Sequence, residues 1–159
     1  DFSKIDRNEL NKFGKLLSHR PKKTELPKYL GQVGNLTVTY TLDFGSFRDI
    51  QRHRAINQRI PLLTTNLGFE HWYINSLTDG VARRLTENLS NLNRKIEELG
   101  VSREVAQYFI PMGYKTSNKF TGDIPGTVYM VELRDKRDVH PTLQRVAHSI
   151  GDQISLNLG

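Results

Sequence analysis

The chain is 159 residues long, enough for one domain that buries roughly 70% of the surface its unfolded form exposes. Hydrophobic residues make up 36% and charged residues 25%, which excludes a disordered chain, and no apolar run approaches the ~18 residues that span a bilayer. The absence of cysteine rules out disulfides, thiolate metal sites and cysteine nucleophiles, and the formal charge of +6 favours nucleotides, phosphorylated cofactors, nucleic acid or a lipid surface as partners.

The opening DFSKIDRNELNK lacks the apolar core of a signal peptide. Without an initiator Met the chain reads as a fragment of something longer, and with no cysteine its expected location is cytoplasmic. Ile5, Leu10, Phe13, Leu16 and Leu17 fall near one stripe, so a helix is expected over 4–20, capped by Ser3 or Asp6 and ended by Pro21. PKKTELPKYLGQVGN is a connection. In LTVTYTLDF, residues 36–44, apolar and polar positions alternate strictly, which predicts a half-buried strand. Gly45 and Ser46 break it, and FRDIQRHRAINQ reads as a helix that Pro61 stops.

Leu77, Val81, Leu85, Leu89, Leu92, Ile96 and Leu99 recur at steps of three or four, a long helix that Gly100 terminates. Ser102 caps REVAQYFI, and Pro111 closes it. YKTSNKFTGDIPG reads as a polar connection and TVYMVELRDKRD as a further helix. Pro141 fits a first helical residue, followed by the stripe Leu143, Val146, Ile150, Ile154 and Leu158. No internal repeat is visible. The expected fold class is α/β of the α+β kind: a single domain over residues 1–159, with a small antiparallel sheet flanked by helices.

FRDIQRHRAINQRIPLL, residues 47–63, crowds Arg48, Arg52, His53, Arg54 and Arg59 together. Like charges that close repel, and an anion would relieve the repulsion. On a helix, neighbours point about 100° apart, so Arg52, His53 and Arg54 would fan around the end of the element. Arginine supplies forked donors matched to phosphate oxygens, and histidine donates or stacks. The plain alternative is an exposed helix whose arginines pair with carboxylates such as Asp49 or lie in water.

The order of landmarks resembles the flavin-dependent thymidylate synthases, in which a strand runs into a helix carrying an RHR motif. Arg52, His53 and Arg54 match that motif as they stand. Upstream, LLSHR followed by KKTELP resembles the family's H-x-T-P-F-E-H stretch, with Thr24 near its threonine. Downstream, SREVAQYFIPMGYKT resembles E-x-A-R-x-x-L-P, with Glu104, Ala106 and Pro111 matching. VELRDKRD resembles N-x-L-R, with Arg134 on its arginine. The likeness covers about residues 10–150.

The resemblance implies a homotetramer that converts dUMP to dTMP without a protein nucleophile. It implies methylene-tetrahydrofolate as carbon donor, NADPH as reductant and FAD as mediator. It also implies FAD contacts from Arg52, His53, Arg54 and Thr24, and nucleotide contacts from Arg134 and from Gln107, which replaces the family's arginine. Other positions depart too: Leu62 stands for the substrate-site serine, Ile60 for a glutamate, Thr64 for an arginine, and Lys22 and Pro27 for a histidine and a glutamate. Lost polar partners cost on the order of 1–3 kcal/mol each. The expected member therefore keeps FAD and is impaired in thymidylate synthesis.

His19, His53, His71, His140 and His148 lack metal-ligand spacing, so no metal site is expected. His71 and Trp72 in FEHWY either stack on a ring or close a core. RLTENLSNLNRKIEEL reads as a packing helix suited to a subunit interface. Beside the enzyme stand two other classes: a non-catalytic domain of the same fold in subunit association, and a nucleic-acid-binding basic module. The last ranks lowest, because no aromatic residues interleave with the basic run.

Overall fold

A computed structural model describes residues 1–21 and 24–158. The expected first helix is two, α1 (Arg7–Lys12) and α2 (Gly14–Leu17), broken at Phe13. Asp6 caps α1 by accepting the Glu9 amide at 3.0 Å. Gly14, a poor helix former, follows the break, which turns Phe13 and Leu17 onto a cluster of Leu10, Leu30, Val33, Leu36 and Ile124.

The chain then forms β1 (Asn35–Asp43), α3 (Phe44–Gln51) and β2 (Ile56–Arg59). After α4 (His71–Asn75) come the 20-residue α5 (Asp79–Glu98), α6 (Arg103–Ala106) and a 3-10 turn, Gln107–Phe109. The last elements are β3 (Lys115–Asp123), α7 (Ile124–Arg134) and α8 (Pro141–Leu158). The strands form one antiparallel sheet in the order β1-β3-β2, flanked by helices. This is the expected α+β class.

Two sequence expectations fail here. FRDIQRHRAINQ is not one helix: α3 stops at Gln51, and INQR becomes β2. Ile56 pairs with Gly122, and a side chain there would meet Ile56 Cγ2 at 2.5 Å, so a glycine is what admits β2. KTSNKFTGD is not a connection but the central strand. Its inward residues are Thr116, Asn118, Phe120 and Gly122, three of them polar or lacking a side chain, so no apolar alternation marks it.

The fold also contains a repeat that the residues conceal. β1 leads directly into α3, and β3 directly into α7. Both strands have nine residues and end in an aspartate that caps the following helix. Asp43 accepts from the Ser46 amide at 2.9 Å, and Asp123 from the Gly126 amide at 2.7 Å. The register runs from Asn35↔Asp123 to Asp43↔Lys115, so an approximate twofold at Thr39↔Lys119 exchanges the units. Eleven residues beyond each aspartate stands an arginine, Arg54 and Arg134. Leu42, Phe47, Ile50, Phe120, Met130 and Leu143 fill the core between these units and α8.

Candidate functional site

The basic cluster sits where α3 gives way to β2. Arg52 is the helix's C-cap residue, and His53 and Arg54 lie in the turn beyond it. The triplet is therefore presented by a turn rather than by a helix. A helix end leaves its last carbonyls unpaired, and the negative end of the dipole favours cationic donors. Arg134, at the end of α7, donates from Nη2 to the Asp49 carbonyl at 2.6 Å. From β2, Gln58 donates through Nε2 to the Ile50 carbonyl at 2.8 Å and the His53 carbonyl at 3.3 Å.

His53 supplies another anchor. Its Nε2 faces the Gly126 carbonyl at 3.2 Å, and a carbonyl only accepts, so Nε2 carries the proton. The ring stacks on Tyr129 of α7, centroids 5.6 Å apart and planes 30° from parallel. Gly126 permits this approach, because a Cβ there would lie 3.0 Å from the Ala55 carbonyl. Burial lowers the imidazole's pKa, the nearby Arg134 charge lowers it further, and the Gly126 carbonyl opposes both. His53 is only 9% exposed and is neutral at neutral pH. The triplet thus presents two charges and one structural imidazole.

Arg52 and Arg54 are exposed. Among the described residues no ion pair involves Arg48, Arg52, Arg54 or Arg59, and Asp49 engages its neighbours through its backbone carbonyl instead. Of the two forms of the plain account, pairing with local carboxylates finds no support in these contacts, whereas a solvated basic face agrees with the exposure of Arg52 and Arg54.

Thr24 reaches the same helix indirectly. Its carbonyl accepts from Arg20 Nε at 2.7 Å, and Arg20 forks onto Glu132 of α7 with both N···O distances at 2.8 Å. The Thr24 hydroxyl donates to the Pro21 carbonyl at 2.7 Å. Gly126, Tyr129 and Glu132 recur every three residues, so one side of α7 holds both the arginine turn and the Thr24 segment. Arg134 closes the same region, and its buried Nε has no partner.

Gln107 is not part of this group. It begins the 3-10 turn after α6 and donates to the Glu104 carbonyl at 3.0 Å, and no hydrogen bond joins it to Arg134. Ile60 and Leu62, at the family's polar substrate positions, are exposed and apolar. Lys22 lies outside the described residues. A cavity of about 420 Å³ opens between β1 and α8, lined by Leu36, Val38, Tyr40, Arg145 and Ile150 among others, and includes none of the expected site residues.

Gln58, Arg20, Glu132 and Tyr129 were not singled out by the sequence. Arg20, Glu132 and Tyr129 have partners far along the chain that no local pattern marks, whereas the partners of Gln58 lie five and eight residues before it and became visible only with the turn.

No family model matches the chain. It is similar to a UPF0159 protein of Chlamydia muridarum, 29% identical over 116 residues, covering 72% of this chain and 22% of that protein. A UPF0159 protein of Thermoplasma acidophilum is 27% identical over 122 residues, covering 76% and 24%. The chain spans about a quarter of the length of these curated relatives.

Proposed function

We propose that the chain binds FAD through Arg52 and Arg54 and is a divergent relative of the flavin-dependent thymidylate synthases. One observation carries this reading: two exposed arginines, without carboxylate partners among the described residues, project from a turn anchored to the helix that also holds Arg134 and the Thr24 segment. The fit is chemical. The FAD pyrophosphate carries two negative charges, and forked guanidinium donors replace the water it loses. The half-buried Arg134 lies on the end of the same helix, through its bond to the Asp49 carbonyl, and its buried Nε has no partner among the described residues. When bound, the flavin would supply hydride transfer from NADPH; Arg52 and Arg54 would hold its phosphates, and the anchored turn would orient it.

The nucleotide side is weaker. Arg134 commits one amine to the Asp49 carbonyl and Gln107 commits its amide to Glu104, while Ile60 and Leu62 offer no hydrogen bonds. FAD binding with little or no methylation of dUMP is the function these residues support best. The visible spectrum of the purified protein and an FAD titration are the tests, followed by tritium release from labelled dUMP. Absence of FAD on purification, with no binding on titration, overturns the proposal.

A second reading, a non-catalytic domain that pairs subunits, is favoured by α5. Its apolar stripe buries no residue: Leu89 and Ile96 lean on Leu63, Ile110 and Tyr114, while Val81 and Leu99 are 39% and 48% exposed. A second copy of the chain is the proposed partner, consistent with a homo-oligomer. Light scattering that gives the monomer mass at all concentrations overturns it.

A further inference from the structure

We infer that Gln58 is the positioning residue of the arginine turn, the side chain that sets where Arg52 and Arg54 point. The inference rests on the proposed FAD site and assigns a role to a residue outside its motif. Gln58 Nε2 spans the turn, donating to Ile50 on the helix side and His53 on the far side. Both partners are carbonyls and only accept, which fixes the orientation of the amide. Its Oε1 is buried without a partner, an unfavourable arrangement that local structure alone does not require. A hydrophobic residue would fill the same space without that cost, but it would remove the donor that Gln58 gives the His53 carbonyl.

The placement of Gln58 follows from the sheet. It stands on the edge strand β2 opposite Phe120 of the central strand β3, a residue only 1% exposed, so its backbone is held by the sheet. From that fixed base the amide ties the two carbonyls that bracket Arg52. His53 and Arg134 anchor the same segment to α7, and the His53 amide closes the turn on the Ile50 carbonyl at 2.8 Å, so Gln58 adds a second tie that comes from the sheet. Fixing the arginines before a ligand arrives lowers the ordering entropy of binding.

Gln58→Met keeps the length and removes the donors, with Gln58→Leu as a second variant should the first fold poorly. FAD affinity is measured by quenching of flavin fluorescence in the wild-type, Thr24→Val and Arg52→Ala/Arg54→Ala backgrounds. Loss of the amide is expected to weaken FAD about fivefold, the factor of one ordinary hydrogen bond, in the first two backgrounds. With both arginines removed the factor is expected to fall towards one, because there is nothing left to position. Equal affinity in wild type and Gln58→Met, or the same factor in every background, overturns the inference. If the wild-type chain binds no FAD, the proposed function fails, and amide exchange judges Gln58 separately. Faster exchange at Arg52–Ala55 with β1 and β3 unchanged upholds the positioning role, and unchanged exchange there ends it.

Discussion

Asp43 is fully buried, and among the described residues it has no cationic partner. Three donors compensate: the Ser46 amide at 2.9 Å, the Tyr73 hydroxyl at 3.1 Å and the Thr142 hydroxyl at 2.6 Å. Two of them come from the first turns of α3 and α8, where the helix dipole favours an anion. Burial, with the Asp43 charge beside it, pushes the Tyr73 phenol up to about 12, which keeps it a donor. Thr142→Val should therefore cost about 1–3 kcal/mol in urea unfolding, and Thr142→Ser should restore most of it. His53 gives a pH signature. Its native pKa lies below the unfolded value of about 6.5, so acidification protonates the unfolded chain first. Stability then falls as pH drops below about 6.5 towards the lowered native value, and no such loss occurs above it. His148 works the other way: a hydrogen bond to Asp135 and the Asp152 charge raise its pKa, adding stability on the acid side that is lost as pH rises through the raised value. Because His148 is fully exposed, His53 should dominate. His53→Gln, which keeps a donor for Gly126, should lose less melting temperature than wild type between about pH 7 and pH 5.

Elements differ in how openly their residues declare them. β1 announces itself because Leu36, Val38, Tyr40 and Leu42 alternate with threonines, and α8 because Pro141 opens an apolar stripe that persists to Leu158. β3 does not, since its partners on both sides supply the apolar contacts that its own Thr116, Asn118 and Gly122 lack. β2 follows a helix-like run and exists because Gly122 leaves room for Ile56. Gly122→Ala should accordingly destabilise the protein by about 1–3 kcal/mol through overpacking, measured by thermal or urea unfolding. α5 is legible as a helix from its leucines, yet only the structure separates its two rows. Leu89→Ala should lower stability by about 2 kcal/mol, because Leu89 packs on Leu63, Ile110 and Tyr114. Val81→Glu, on the exposed row, should leave the unfolding midpoint nearly unchanged and reduce self-association in light scattering.

Across the whole molecule, the net charge of +6 pointed to anionic partners, and the RHR triplet marked where charge gathers. The residue types were legible; their division of labour was not. His53 turns inward onto Gly126 and Tyr129, Arg134 spends one amine on the end of α3, and Thr24 is held through Arg20 and Glu132, contacts that span up to 112 residues of sequence. Of the RHR triplet, Arg52 and Arg54 are the exposed members, and the proposal rests on them. Comparing the FAD affinity of the wild-type chain with that of Arg52→Ala/Arg54→Ala tests this most directly. Two lost phosphate contacts should weaken binding by roughly 10²-fold while the circular dichroism spectrum and melting temperature stay unchanged. Equal affinity in the two proteins, or no FAD binding by either, would contradict it.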